Sequence, residues 1–402
     1  MKRSFVTVIS VLSFAGSCWA ADWLNFRGPA GSGVADPDET PIAKFDGADS
    51  IAWKLPLPGR GLSCPIIIDD KVFVTCSSGP LQKQLHIFCI AADSGEVVWE
   101  RRFWATGRTM THKKTNVAAP SPCSDGKHIF ALFSSNDLIC LDLDGNLKWL
   151  RGLTFDYPNA SNSLGMASSP IAAGGALVVQ SENDSESFAA GIDIETGKNL
   201  WKKSRPKKAN WTSPVVLEGE QTVVALQSSA GLLGVLPKTG SEVFDYSEGA
   251  STIPSSAAAG GVVYVPSHGL TALQPDDKGG EPRQLWRNGQ LGPGTGSPLV
   301  IGDKVYVVNN AGVLTCANTS DGERVWRVRT EGPYSGSPIA VGNFIYLFNE
   351  QGVGQIVDVT KGENEEGPVS TIDLEEMILC TPAYSNGGLF VRSDGHLWKI
   401  SG

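Results

Sequence analysis

The sequence predicts an all-β fold, an eight-bladed β-propeller of four-stranded antiparallel sheets, on three observations. An opening with an eight-residue step recurs through the chain in eight copies, one of them a residue longer, a closing aromatic follows the first six, and no helical period runs anywhere in the chain. The step runs from Pro65 to Phe73, Pro122 to Phe130, Pro170 to Val178, Pro298 to Tyr306, Pro338 to Tyr346 and Pro382 to Phe390. Two copies are looser: Ser256 to Tyr264 keeps the spacing without the proline, and Pro214 reaches Val223 with one extra residue. Radial β-sheets suit such copies, because a unit of about 40 to 50 residues cannot bury its apolar face alone.

The closing aromatics are Trp99, Trp149, Trp201, Phe244, Trp286 and Trp326, each led in by a glycine-containing turn. Each tryptophan is expected to lodge between neighbouring blades. In the seventh copy Ile372 takes the position, and the eighth ends at GHLWKISG with no chain left for a last strand. That strand must come from elsewhere. IAWKLPL at 51 to 57 carries Trp53 in the same apolar setting, so an N-terminal strand completes the last sheet and removes the exposed edges that invite aggregation. Composition agrees, since 402 residues with 41% apolar, 46 Gly and 24 Pro suit a turn-rich domain with a continuous core. Residues 51–402 are therefore expected to form one propeller, although length alone suggests two or three domains.

The chain begins differently. Lys2 and Arg3 precede the apolar run FVTVISVLSFAG, and Cys18-Trp19-Ala20 ends in a small residue, the pattern of a secretory signal cleaved after residue 20. Cys18 could instead be an acylated lipoprotein residue, with Ala15 standing where a leucine is usual. An extended segment at 21–50 leads into the propeller. No later run is apolar enough to cross a membrane.

Without Lys2 and Arg3, 31 basic side chains face 42 acidic ones, the wrong balance for neutralising phosphates, so nucleic acid is not an expected partner. The charge is uneven. Arg101, Arg102, Arg108, His112, Lys113 and Lys114, with Asn116 close by, form one acid-free run, and Lys202, Lys203, Arg205, Lys207 and Lys208 another. Both are expected in connections between blades that are longer after the first three blades than later. The turns SSGPLQKQLH and SENDSESF are enlarged on the same face. Loops built up on a rigid scaffold suggest a partner-binding sector. The other reading is a set of solvated loops whose charges pair with nearby acids.

Catalytic patterns are sparse. None of the five histidines has metal-ligand spacing, and His268 and His396 fall at hairpin turns. DLDG at 142–145 is a turn without a full calcium ligand set, and GPGTG at 292–296 precedes a strand, which fails the dinucleotide test. Cys89, Cys140 and Cys316 hold one third-strand position in different blades and read as small buried apolar residues. Cys64 and Cys380 flank the openings of blades that adjoin in a closed ring. A disulfide there is open in an oxidising compartment, with bridging geometry against it. Cys64, Ser121, Ser169, Ser213, Ser255, Ser297, Ser337 and Thr381 should rim the central channel. They would either bond loose backbone groups at strand starts or line a small-ligand site.

The endings SGEVVW, DGNLKW, TGKNLW and DGERVW resemble the tryptophan-docking repeats of pyrroloquinoline-quinone (PQQ) propellers, and the resemblance covers nearly all of the chain from residue 51. WLNFRGPAGSGV at 23–34 and HKKTNVAAPSP at 112–122 resemble segments of secreted PQQ-like propellers of planctomycete bacteria. Quinoprotein alcohol dehydrogenases of the wider family use PQQ with calcium and an adjacent cysteine pair, and no Cys-Cys dipeptide occurs here. The outer-membrane assembly lipoprotein family is similar in length and blade number and lacks a redox site. The resemblance thus implies a secreted or periplasmic, monomeric, non-catalytic propeller, associated with the outer membrane, that binds a protein or envelope component. A PQQ-dependent alcohol or sugar dehydrogenase is the alternative.

Overall fold

A computed structural model describes residues 22–160, 164–276, 279–364 and 366–402; the expected signal segment, with Cys18, lies outside the described residues. Among the described residues, thirty-two strands form eight four-stranded sheets. Blade 1 comprises Ile66–Ile68, Lys71–Ser78, Gln84–Ala91 and Val97–Trp104, ordered from the channel outward. Blades 2 to 7 follow at 123–152, 171–204, 215–246, 257–288, 299–329 and 339–373. Blade 8 joins the two ends of the chain. Its strands Ala383–Ser385, Gly388–Arg392 and His396–Ser401 are completed by Ile51–Pro56, with Trp53 opposite Lys399 and Leu55 opposite Leu397.

The eight-residue step has a direct cause in the register of the two inner strands. The residue after each proline pairs with the residue seven further on, as in Ile66–Phe73, Cys123–Phe130, Leu299–Tyr306 and Ala383–Phe390. Proline itself sits just before the strand, where its missing N–H costs no ladder bond. Blade 4 departs from the expected step: Val215 pairs with Ala225, ten residues on, and Val223 pairs with Leu217, so its first turn holds three residues more than those of the other blades.

Alternation is weaker than the sequence suggests. The second and third strands of most blades are buried throughout, as in His128–Leu132 and Phe188–Ile192, because each sheet is covered by a neighbour on both faces. Only the outermost strands alternate, as Asn199–Ser204 and Arg324–Arg329 do.

Docking between blades follows one rule. The indole Nε1 of Trp53, Trp99, Trp149, Trp201 and Trp286 donates to Ala92, Leu143, Ile194, Pro237 and Thr319 of the next blade, at 2.7 to 3.0 Å. Each ring lies against that blade's turn glycine. A Cβ on Gly240 would meet the Trp201 ring at 2.6 Å, and one on Gly362 the Trp326 ring at 2.3 Å. The inner aromatic of the same blade backs the indole, with Phe73–Trp99 and Tyr306–Trp326 centroids 5.9 and 5.7 Å apart. Blade 7 has Ile372 instead of tryptophan. In blade 8 no turn joins the third strand to the fourth, which is Ile51–Pro56, so the turn that receives an indole in other blades has no counterpart there.

Residues 22–50 strap the channel mouth on the side of the first hairpin turns. Trp23 exchanges backbone bonds with Ile67 of blade 1, Ala35 donates to Ala340 of blade 7, and Tyr384 of blade 8 donates to Thr40. Short 3-10 turns, Pro29–Gly31 and Gly47–Ser50, interrupt the otherwise extended strap. Arg27 is 1% exposed beneath it, donating to the carbonyls of Ser32, Ser256 and Pro298.

Candidate functional site at the opposite channel mouth

The other mouth is floored by a closed ring of hydrogen bonds. The backbone N–H of Cys64 donates to Ser121 Oγ, Ser121 to Ser169, Ser169 to Ser213, Ser213 to Ser255, Ser255 to Ser297, Ser297 to Ser337 and Ser337 to Thr381, all at 2.8 to 3.0 Å. Thr381 donates to Cys64 Sγ and closes the circle. The N–H two residues before every innermost strand is thus satisfied by the neighbouring blade. Above the ring lies a cavity of about 460 Å³, walled by Leu62, Leu164, Trp211, Ile253 and Leu379, with His112 and Lys114 at its rim.

The seven described cysteines are free and buried, including Cys64 and Cys380. Cys380 Sγ lies 2.9 Å from the Arg392 carbonyl, so the two thiols serve separate contacts and not a disulfide. Burial pushes the Cys89 and Cys140 thiols up to about 12.

The connections between blades differ from the expected pattern. Those after blades 1 and 2 span 105–122 and 153–170, but the one after blade 3, 205–214, is no longer than 247–256 or 289–298 after blades 4 and 5. The sequence overcounts because Arg101, Arg102, Lys202 and Lys203 lie inside outermost strands, not in connections.

Most of the basic side chains are engaged. Arg102 pairs with Glu100 at 2.7 Å, and with His86 it holds that carboxyl below its usual range. Arg101 donates to the Gly145 carbonyl. Lys114 reaches both oxygens of Glu350, at 2.7 and 2.8 Å, and ties the first long connection to blade 7. Lys202 pairs with Glu186 and stands 3.8 Å above the Tyr157 ring, while Lys203 pairs with Glu242. Arg205 is buried against Glu182 at 2.8 Å, and burial raises that carboxyl against the opposing pull of Arg205 and Asn210. Arg108, Lys113, Lys207 and Lys208 form no ion pair among the described residues.

His112 joins the two long connections through its N–H to Leu164. Asn116 is fully buried, and its side-chain amide bonds no described residue. His268 sits in a turn at φ 49°, whereas His396 opens a strand and meets Glu376 at 2.8 Å. Missing from the sequence reading are Leu81, Trp104, Met110 and Phe155, the most exposed large apolar side chains described. A single apolar residue in a polar loop gives no periodic signal, so only the enlarged loops hinted at them.

A tryptophan-docked, ring-closed propeller, strapped at one channel mouth and built up at the other, is the class these features define. The chain belongs to the family described as outer membrane protein assembly factor BamB, matched over residues 39–160, 83–252 and 280–366. The BamB of Moranella endobia (strain PCIT) is 22% identical over 207 residues, 42% of this chain and 50% of that protein, so the chain spans about half of this relative's length. The structure of BamB from Moraxella catarrhalis is similar at a TM-score of 0.61, with 14% identity over 88% of this chain and 97% of that one. A europium-containing methanol dehydrogenase is similar at 0.70, with 11% identity over 94% and 90% of the two chains. The quinohemoprotein alcohol dehydrogenase of Comamonas testosteroni reaches 0.69, with 12% identity over 94% and 80%. At these identities the likeness shows the fold.

PQQ with calcium, implied by the dehydrogenase alternative, does not fit the donor set of this cavity. No carboxylate lines it, and the described residues hold no group of three or more His, Cys, Asp or Glu able to bind a metal.

Proposed function

We propose that the chain is a non-catalytic scaffold of the bacterial envelope, secreted or periplasmic and associated with the outer membrane, that holds a protein partner on the built-up channel mouth. The observation that carries this reading is the cavity floor. Its polar groups, seven hydroxyls and one thiol, each accept a backbone N–H and so serve the closure of the propeller. The family match and the two long connections beside this cavity support a binding role. The resemblance of its opening segment to secreted planctomycete propellers fits the same setting.

Two measurements test it. Charge reversal of Lys113, Lys114, Lys207 and Lys208 should release a partner that co-purifies with the wild-type chain. Purified protein given PQQ and calcium should show neither bound quinone absorbance nor dye reduction; either signal revives the dehydrogenase alternative.

A further inference from the structure

The four most exposed large apolar side chains among the described residues gather at one corner of the molecule. Phe155 is 78% exposed, Leu81 73%, Trp104 65% and Met110 59%. Their segments are tied together. Ala105 donates its N–H to the Lys83 carbonyl at 2.9 Å, and Gln82 Nε2 reaches Thr111 Oγ1 at 3.4 Å, joining the Leu81 turn to the segment of Trp104 and Met110. A Cβ on Gly152 would meet both Thr106 Oγ1 and the Phe155 ring within 3 Å, which brings the end of blade 2 to the same place. Leu81 and Gln82 both lie at φ 56°, a left-handed conformation that is costly for a bulky side chain.

The corner is also basic. Lys83, Arg108 and Lys113 are exposed and pair with no described carboxylate. The carboxylates nearby are engaged: Glu100 by Arg102 and His86, Asp137 by Thr106 and Ser135, Asp156 by Arg151, Glu350 by Lys114, and Asp394 by Arg60, which also donates to the Lys113 carbonyl. In a chain of net charge −9, this leaves a local surplus of free positive charge around exposed aromatic, leucine and methionine side chains. Aromatic residues and methionine are enriched at protein interfaces, and opposite charge steers the encounter.

We infer that this corner docks an acidic polypeptide segment of a partner protein, one that carries large apolar side chains between its carboxylates. The inference rests on the scaffold reading for its biological setting and names the partner chemistry. Apolar anchors of the partner cover Leu81, Trp104, Met110 and Phe155, while its carboxylates meet Lys83, Arg108 and Lys113.

The test uses the full chain and a fluorescent peptide of about twelve residues in which Glu alternates with Leu and Phe, followed by fluorescence anisotropy. The triple variant L81S/W104S/F155S and the charge reversal R108E/K113E should each weaken binding about ten-fold or more. Both change exposed side chains, and unaltered thermal melting confirms that they fold. The same peptide with Lys for Glu should bind poorly. Raising salt from about 50 to about 500 mM should bring the wild type towards the charge-reversed variant. Variants that bind like the wild type overturn the inference, as does equal binding of the Lys peptide. Patch-dependent binding to phosphatidylglycerol vesicles without peptide binding overturns it in favour of a membrane surface, and a dimer lost in the triple variant does so in favour of a second copy. A co-purifying partner retained by both variants leaves the scaffold reading standing and this corner refuted; a wild type with no partner counts against the scaffold reading while the peptide titration still decides the corner.

Discussion

The N–H of Thr381 donates to Cys64 Sγ at 3.3 Å, and this contact carries the inner ring across the seam between the last blade and the first. Elsewhere the acceptor is a hydroxyl oxygen at 3.0 Å or less, a stronger partner than sulfur. The weakest link of the ring therefore falls between blade 1 and blade 8, the sheet that joins the chain's two ends.

That placement can be measured. Cys64→Ser should stabilise the fold slightly, by about 0.5 to 1 kcal/mol, since it substitutes a better acceptor in the same place. Ser213→Ala leaves the buried N–H of Ser169 without a partner and should cost about 1 to 3 kcal/mol. Urea melts of the two variants check the order. A neutral Ser213→Ala would mean that the ring contributes nothing to stability.

Trp201 and Gly240 are coupled across blades 3 and 4. Trp201→Ala should cost about 3 to 5 kcal/mol, the usual penalty for truncating a large packed ring. Gly240→Ala should also destabilise, because its Cβ would meet the indole and its φ is 67°. In a double-mutant cycle the alanine at 240 should cost less once the ring is gone. Strictly additive effects would show that the glycine is needed for its backbone alone.

The architecture was legible because repetition multiplies a weak local signal. One such step means little, but its recurrence fixes the inner register of seven blades, and the glycine before each tryptophan marks the surface that receives the preceding blade's indole. Even the missing eighth strand could be placed, since Trp53 had no other blade to serve. The connections were misjudged because Arg101, Arg102, Lys202 and Lys203 are polar residues on edge strands, where an exposed face reads like a loop. The candidate site was less legible still. Which lysines are free depends on partners such as Glu350, far from Lys114 in sequence and close only after the ring has closed.

Alkaline pH should expose the buried thiols. Burial raises Cys89 and Cys140 from an ordinary thiol value of 9.0 to about 12, and Tyr334 from 10.0 to about 12. These groups have raised values in the folded state, so their contribution is fully present below the unfolded value and is lost as pH rises through the folded one. Melting temperature should fall between about pH 9 and pH 12. At pH 8 the seven described cysteines should resist a thiol reagent until the chain unfolds.

Arg205 and Glu182 are buried with side-chain exposures of 6% and 0%. Glu182→Leu alone should cost about 3 to 5 kcal/mol, because it strands a buried guanidinium. Adding Arg205→Met should recover most of that loss, and thermal melts of the single and double variants decide it. A double variant as unstable as the single one would make the ion pair a genuine stabiliser of the fold.

The seam makes the strongest demand. Deleting residues 51–57 strips the outer strand from His396–Ser401 and leaves a bare sheet edge in blade 8. It also removes the Trp53 indole from Ala92 and Gly95 of blade 1, so the last interface of the circle loses both its ladder and its dock. The deleted chain should unfold over a broader urea range with a smaller m-value and should self-associate. Trp53→Ala separates the two effects, because it keeps the ladder and removes the dock. It should cost about 3 to 5 kcal/mol and still melt in one cooperative step. If the deletion melted as sharply as the intact chain, the sheet shared by both termini would not be what makes the propeller one cooperative unit.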